Sequence, residues 1–170
     1  MSRRELKSAK SNWKHVDGGM AFIVPVTLIK HPNWIRMRAD AVKLVLDLGR
    51  QYSGLNNGYL CAAWDLMHEQ GWRSRETLQV AIEEAEHYRV ICKTLQGWKN
   101  RASRYALTWW PVHRLEHLFD LDVSPTVVPT NAWKQERPDF VMPEWLQEIR
   151  KRKQESRRKK HNLIHAVRAA

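Results

Sequence analysis

Residues 71–78, GWRSRETL, predict the point where one helix ends and a second begins. Gly71 suits the turn, because glycine adopts left-handed backbone conformations without a steric penalty. Ser74 suits the N-cap of the second helix, since its hydroxyl can accept a hydrogen bond from one of the first amides of that helix. Beyond it, apolar residues recur at the spacing of an amphipathic helix: Leu78, Ala81, Ile82, Ala85 and Tyr88. The pattern predicts a helix over residues 74–89, preceded by a shorter helix over residues 63–70, with Trp72 packed between them.

A β-hairpin is predicted directly after the second helix. The runs VICKTL (90–95) and YALTWW (105–110) are rich in β-branched and aromatic residues, and a polar, glycine-containing loop over 96–103 separates them. A short strand at residues 59–61 is expected to pair with this hairpin. The helix pair and the hairpin together predict a fold that is mainly α with a small β-hairpin wing, a winged helix-turn-helix. Upstream, a helix is expected over residues 39–52, and downstream a short helix is expected over residues 112–119.

The charge of the hairpin region favours a nucleic-acid partner. No acidic residue lies between Glu86 and Glu116, whereas the same interval contains Arg89, Lys93, Lys99, Arg101, Arg104 and Arg114. Such a segment is suited to contact with phosphate.

The net charge of +11 is concentrated at the two ends of the chain. Residues 1–19 contain five Lys or Arg and two acidic residues, and residues 144–170 contain nine and three. We therefore predict a basic N-terminal arm over 1–19, a winged-helix domain over 20–119, an extended Pro-containing linker over 120–143, and a basic helical or partly disordered C-terminal segment over 144–170. Basic extensions of this kind add sequence-independent affinity for nucleic acid.

Other functional classes find little support in the sequence. No apolar run approaches the roughly 20 residues of a membrane span, and the N-terminus lacks the apolar core of a signal peptide. Cys61 and Cys92 are the only cysteines and form no CxxC pattern, which is typical of a reduced, cytoplasmic protein. No nucleophile–base pair, metal-ligand cluster or phosphate-binding loop has useful spacing, so we expect no enzymatic activity, no cofactor and no bound metal.

The chain resembles the winged-helix proteins of phages, prophages and plasmids, which are described as helix-turn-helix or replication-protein-like. The resemblance covers roughly residues 22–135 and rests on the order of several short motifs: 22–25, Leu28 with Pro32 and Trp34, 56–58, 71–74 with Thr77 and Leu78, 105–109, and 130–131 with Trp133. It implies a winged helix-turn-helix fold and a DNA-binding role. Where that family tends to place glycine after the recognition helix, this chain has Arg89.

The resulting prediction is a protein that binds duplex DNA as a transcription regulator or a replication accessory factor, as a monomer or homodimer. The expected DNA-binding residues are Arg73, Ser74, Arg75, Thr77, Gln79, Arg89, Lys93, Trp98, Lys99, Arg101 and Arg104. The alternative is a winged-helix adaptor or inhibitor subunit that binds a protein or an RNA–protein complex. Two features support it: Trp98 in a hydrophilic loop, and the acidic residues expected on the exposed side of the recognition helix, Glu76, Glu83, Glu84 and Glu86.

Overall fold

The computed structural model describes residues 21–99, 101–116, 118, 120–149, 151–152 and 154–156. The described residues up to Asp139 belong to one compact unit, and those from Phe140 onwards belong to a second, in which 144–149 are helical. The predicted arm 1–19 and the last part of the predicted C-terminal segment, 157–170, lie outside the described residues.

The first unit combines helices with a small antiparallel sheet. Its elements in chain order are α1 (Val26–Ile29), α2 (Pro32–Arg36), α3 (Ala39–Arg50), β1 (Leu60–Cys61), α4 (Trp64–Glu69), α5 (Arg75–His87), β2 (Ile91–Leu95), β3 (Arg104–Leu107) and a 3-10 turn (Ala132–Lys134). The strand order is β1-β3-β2. The structure is therefore mixed α/β, and its hairpin is compatible with a small wing.

Most of the predicted elements are confirmed, with one clear exception. The helices on either side of Gly71, the helix from Ala39 and the three short strands are present. The prediction of a helix over residues 112–119 is wrong, since none of the described residues there is helical. The backbone of this stretch bonds to distant residues instead: Val112 N donates to Thr126 Oγ1 (2.9 Å), and His113 N donates to Asn57 O (2.9 Å).

The core forms where α3 packs against α5. Both helices contribute apolar residues at helical spacing, and these are buried: Ala41, Leu44, Val45 and Leu48 of α3, and Leu78, Ala81, Ile82 and Ala85 of α5. Burial of such side chains provides most of the favourable free energy of folding. The β-hairpin adds Ile91, Leu95, Tyr105 and Leu107 to the same buried set.

A carboxylate fixes the contact between α3 and α5. Glu84 of α5 is only 1% exposed, and it accepts hydrogen bonds from the backbone N (2.9 Å) and from Nε (2.7 Å) of Arg38. Arg38 is the N-cap residue of α3 and has no side-chain capping bond of its own. The carboxylate therefore satisfies an amide beside the start of α3, where a negative charge also complements the helix dipole.

Two buried asparagines connect segments that are far apart in the sequence. The side-chain amide of Asn57 bonds to backbone groups after and within β3: it donates to Leu107 O (3.0 Å) and Pro111 O (2.9 Å) and accepts from Leu107 N (2.8 Å). Asn33 of α2 donates to Trp133 O (2.8 Å) and accepts from Arg137 N (2.9 Å). Asn33 thereby holds residues 131–139, here called the strap, against α2.

The bond between α5 and the start of α3 can be tested by replacing Glu84 with glutamine. The amide keeps the shape of the side chain but places an N–H group against the Arg38 donors, so one buried bond is lost. We expect the free energy of unfolding to fall by about 1–3 kcal/mol. Denaturant unfolding would measure it, with Glu83→Gln as the control because it removes the same charge from the neighbouring, less buried position. Equal stability of the two variants would contradict the assignment.

Candidate nucleic-acid interface

The first turn of α5 presents a group of polar side chains on a well-defined helix start. Ser74 is the N-cap, and its Oγ accepts a hydrogen bond from Thr77 N at 3.2 Å, as predicted. Arg73, Arg75 and Gln79 are exposed, and Thr77 is half-buried. A capped helix start holds its backbone in one conformation, so side chains attached there have well-defined directions.

Trp72 attaches this turn to the core. Its ring is buried, and its Nε1 donates to Asp47 Oδ2 of α3 at 2.7 Å. Lys43 donates to the same oxygen at 2.6 Å, and its Nζ lies 5.0 Å from the centre of the Trp72 ring. The expectation that Trp72 is buried is confirmed, but the contacts of its ring are with α3, and Arg73 is exposed immediately after this anchor.

Trp64 of α4 orients Arg75. The guanidinium carbon of Arg75 lies 4.9 Å from the centre of the Trp64 ring, a cation–π distance. His68 stacks on the same ring at 5.1 Å, one helical turn further along α4. Sequence reasoning did not assign Trp64 to the interface. The i, i+4 spacing of Trp64 and His68 indicates a shared helix face, but the approach of Arg75 depends on the angle between two helices.

The acidic residues of α5 are each engaged within the protein. Glu76 Oε2 accepts from Ser74 Oγ (2.5 Å), and Glu83 Oε1 accepts from Gln79 Nε2 (2.9 Å). The expectation that Glu84 lies on the exposed side of this helix is wrong, because its carboxylate is buried against Arg38. The helix is therefore less acidic at its surface than its sequence indicates.

Glu86 and Lys93 form a weak ion pair between α5 and β2. Glu86 Oε2 lies 3.9 Å from Lys93 Nζ, and the two side chains are 28% and 35% exposed. Burial raises the pKa of Glu86 above its ordinary value, although the charge of Lys93 acts in the opposite direction. When Glu86 is ionised, part of the charge of Lys93 is compensated within the protein, which weakens the case for Lys93 as a phosphate contact.

The tip of the hairpin loop, here called the wing tip, comprises the described residues 97–99 and 101. Trp98 N donates to Arg101 O and Arg101 N donates to Trp98 O, each at 2.9 Å. Trp98 is 66% exposed, the Arg101 guanidinium lies 5.4 Å from its ring centre, and Lys99 is exposed. The wing tip thus brings together three of the predicted contact residues.

Arg89 occupies an unusual backbone conformation. Its φ is +55°, in the left-handed region that glycine enters most easily, and its guanidinium donates to Gln135 Oε1 in the strap. Such a conformation costs a residue with a Cβ about 1–2 kcal/mol. A glycine at this position would adopt the same backbone conformation without that cost. Arg104 is half-buried in β3, opposite Cys61 on one side and Leu95 on the other.

The predicted residues therefore fall into separate groups. Arg73, Ser74, Arg75, Thr77 and Gln79 form the helix-start cluster, whereas Trp98, Lys99 and Arg101 belong to the wing tip. Lys93 and Arg104 lie on β2 and β3, and Arg89 lies between α5 and β2. Sequence reasoning missed two contact residues: Gln135, which bonds to Arg89, and Asp122, which bonds to Gln96. Both belong to irregular segments, whose position no periodicity in the sequence predicts.

Comparison with known proteins identifies no relative: no family model, no curated protein and no solved structure matches the chain. Among the described residues, no helix has the length and apolar character needed to cross a membrane. The same residues contain no group of three or more His, Cys, Asp or Glu side chains placed to hold a metal ion.

Glu86 allows a test of the burial at the α5–β2 contact. A carboxyl group whose pKa is raised in the native state binds more protons there than in the unfolded chain, so stability falls as pH rises from its ordinary pKa towards the raised value. Glu86→Gln stays uncharged, and we expect it to raise the melting temperature at pH 7. The gain should shrink as the pH falls below the ordinary value of 4.5, where the wild-type carboxyl is also neutral.

Thermal unfolding at several pH values measures this difference. Glu69→Gln, which removes an equal charge at an exposed position of α4, separates the effect of burial from that of net charge. A gain of the same size at pH 7 and pH 4, or lower stability of Glu86→Gln at pH 7, would contradict the prediction.

Proposed function

We propose that the protein is a winged helix-turn-helix protein of a mobile element that binds double-stranded DNA in the cytoplasm, as a transcription regulator or a replication accessory factor and without catalysis. The helix-start cluster is the observation that carries this proposal. Its exposed arginines and glutamine stand on a capped helix that the buried Trp72 fixes to the core. The next segment, the hairpin, contains no acidic residue and is compatible with a wing.

The helix-start cluster has the chemistry needed to contact base edges. Arginine can donate two parallel hydrogen bonds to guanine, and glutamine can form a bidentate pair with adenine. In this mechanism the start of α5 enters the major groove, where Arg73 and Arg75 face the bases. Gln79 exchanges the bond between its Nε2 and Glu83 Oε1 for a contact with a base. Ser74 acts through the backbone, since its hydroxyl already bonds to Thr77 N and Glu76.

Phosphate contacts come from the wing tip and its strands. Lys99 is exposed, and Arg101 and Arg104, which follow it in the chain, are half-buried. Such contacts position the protein on the duplex and carry no sequence information themselves. Lys93 contributes less when it is paired with Glu86, and Arg89 is held by the strap.

The second candidate is an adaptor or inhibitor subunit that binds a protein or an RNA–protein complex. Exposed apolar side chains near the start of the domain favour it: Val26 is 63% exposed and Ile35 is 69% exposed. An interface of this kind would depend on α1 and α2 and would respond weakly to salt.

Lys99→Ala tests the wing tip as a phosphate contact. Each neutralised phosphate contributes about 0.9 to the slope of log K against log salt concentration, so this variant should lower the slope by about that amount on any duplex. Fluorescence anisotropy over a salt series measures it. Lys30→Ala is the matched control, because Lys30 is also exposed but lies beside α1, away from the predicted interface residues in the sequence. An equal slope for wild type and Lys99→Ala would remove the wing tip from the interface.

Arg75→Lys tests base recognition separately from charge. The lysine keeps the positive charge but lacks the planar pair of donors that matches guanine. Binding to random duplex should therefore change little, whereas binding to a site selected from a random library should weaken by about 1–3 kcal/mol. Arg75→Ala should weaken both. If Arg75→Lys leaves the selected site unaffected, Arg75 is not a base contact; if wild type binds no DNA, the adaptor is favoured.

A further inference from the structure

Several hydrogen bonds and one close backbone approach fix the conformation of the wing tip. Its two reciprocal backbone bonds between Trp98 and Arg101 close the turn. Gly97 donates its backbone N–H to Ser103 Oγ at 3.0 Å, and a Cβ at Gly97 would lie 2.5 Å from Arg101 O and Ser103 N, so the backbone passes too closely for any other residue. At the base of the loop, Gln96 N donates to Asp122 Oδ2 at 2.6 Å.

These contacts hold the large aromatic side chain of Trp98 at the solvent-exposed surface. Trp98 is two-thirds exposed, whereas Trp72, Trp109 and Trp133 are buried. An exposed indole gains little from burial, so its rigid presentation indicates a ligand that covers it. The ring already carries the Arg101 guanidinium at 5.4 Å, and Lys99 follows it directly in the chain. Aromatic rings flanked by cations are the usual platform on which nucleobases stack next to a phosphate backbone.

The acidic group at this loop is outnumbered by the two cations of the wing tip, Lys99 and Arg101. Among the described contacts, Asp122 is the carboxylate at the base of the loop, and its Oδ2 is already bonded to the Gln96 amide. The segment from residue 87 to residue 115 contributes no acidic side chain. The local field at the wing tip therefore favours an anionic strand.

The geometry of DNA then selects the kind of base that Trp98 can meet. Within a paired duplex, each base is covered on both faces by its neighbours, so no π-face is open to a side chain. An unpaired base has an exposed face, and stacking on an aromatic side chain requires no further unstacking of the duplex. A flat indole at a loop tip is therefore suited to unpaired nucleotides beside the duplex that the helix-start cluster contacts.

We infer that the wing tip stacks Trp98 on an unpaired nucleobase, so that the protein prefers duplex DNA that contains a short unpaired segment over fully paired duplex. This inference rests on the proposed DNA-binding function and specifies its substrate. Arg101 holds the indole from one side, and Lys99 contacts the phosphate beside the stacked base. Partly opened DNA of this kind occurs wherever a duplex is locally melted.

Three DNA ligands of identical duplex sequence test the inference: one fully paired, one with a short central bulge of thymidines, and one with the same bulge made of abasic nucleotides. The two bulged ligands have the same backbone, ends and charge and differ only in the unpaired bases. Wild-type protein should bind the thymidine bulge about five- to 150-fold more tightly than the abasic bulge, the range expected for one stacked base.

Two substitutions at Trp98 separate stacking from apolar contact. Trp98→Phe keeps an aromatic face and should retain most of the preference, whereas Trp98→Leu should bind both bulged ligands equally. Both variants should fold, since the side chain is largely exposed, and melting curves check this.

Each outcome has a defined meaning. Equal binding of the two bulged ligands by wild type, or an undiminished preference in Trp98→Leu, overturns the inference but leaves duplex binding intact. Equal weakening of all three ligands in Trp98→Leu also overturns it and makes Trp98 a backbone contact. Failure of wild type to bind any of the three ligands contradicts the proposed function and the inference together.

Discussion

The buried bond between Glu84 and Arg38 determines which side of α5 faces the solvent. Successive residues of an α-helix are rotated by roughly 100°, so Arg75, nine positions before Glu84, lies on the opposite side of the helix. Because the carboxylate is fixed to the start of α3, Arg75 must point away from the core. Gln79 lies about 140° from Glu84 by the same rotation and is also exposed. The orientation of the candidate interface thus follows from one interaction on the far side of the same helix.

Contacts within the protein also affect the charge that the domain presents to solvent. Acidic side chains near the candidate interface bond to cations, hydroxyls or amides of the protein itself, as Asp47 does with Trp72 and Asp122 does with Gln96. A carboxylate beside a cation, as Asp47 is beside Lys43, has its charge offset within the protein, whereas one that accepts from a neutral amide, such as Asp122, keeps its charge. The helix start and the wing tip have exposed arginine and lysine side chains that carry positive charge, although the described part of the chain contains many acidic residues.

The sequence predicts the local structure of this domain well and its long-range contacts poorly. The apolar spacing from Leu78 to Tyr88, the turn at Gly71 and the cap at Ser74 depend on residues within a few positions of one another, and all are present in the structure. The inward position of Glu84 depends on Arg38, which is 46 residues away. The hydrogen bonds of residues 112–113 depend likewise on Asn57 and Thr126, and so they override the local helical pattern. Of the candidate site, the helix-start residues could be predicted, whereas the support from Trp64 could not.

The asparagine that holds the strap also affects how the chain folds during synthesis. Asn33 bonds to backbone groups 100 and 104 residues further along the chain. Until the ribosome has released those residues, the carboxamide of Asn33 can reach only a distant acceptor, Tyr88 O at 3.4 Å in the folded protein, and α2 has no strap over it. Contacts of such large sequence separation form slowly, because a long loop must close before they contribute. The nascent chain can assemble its helices and sheet early, but it completes the domain only after nearly all of it has been translated.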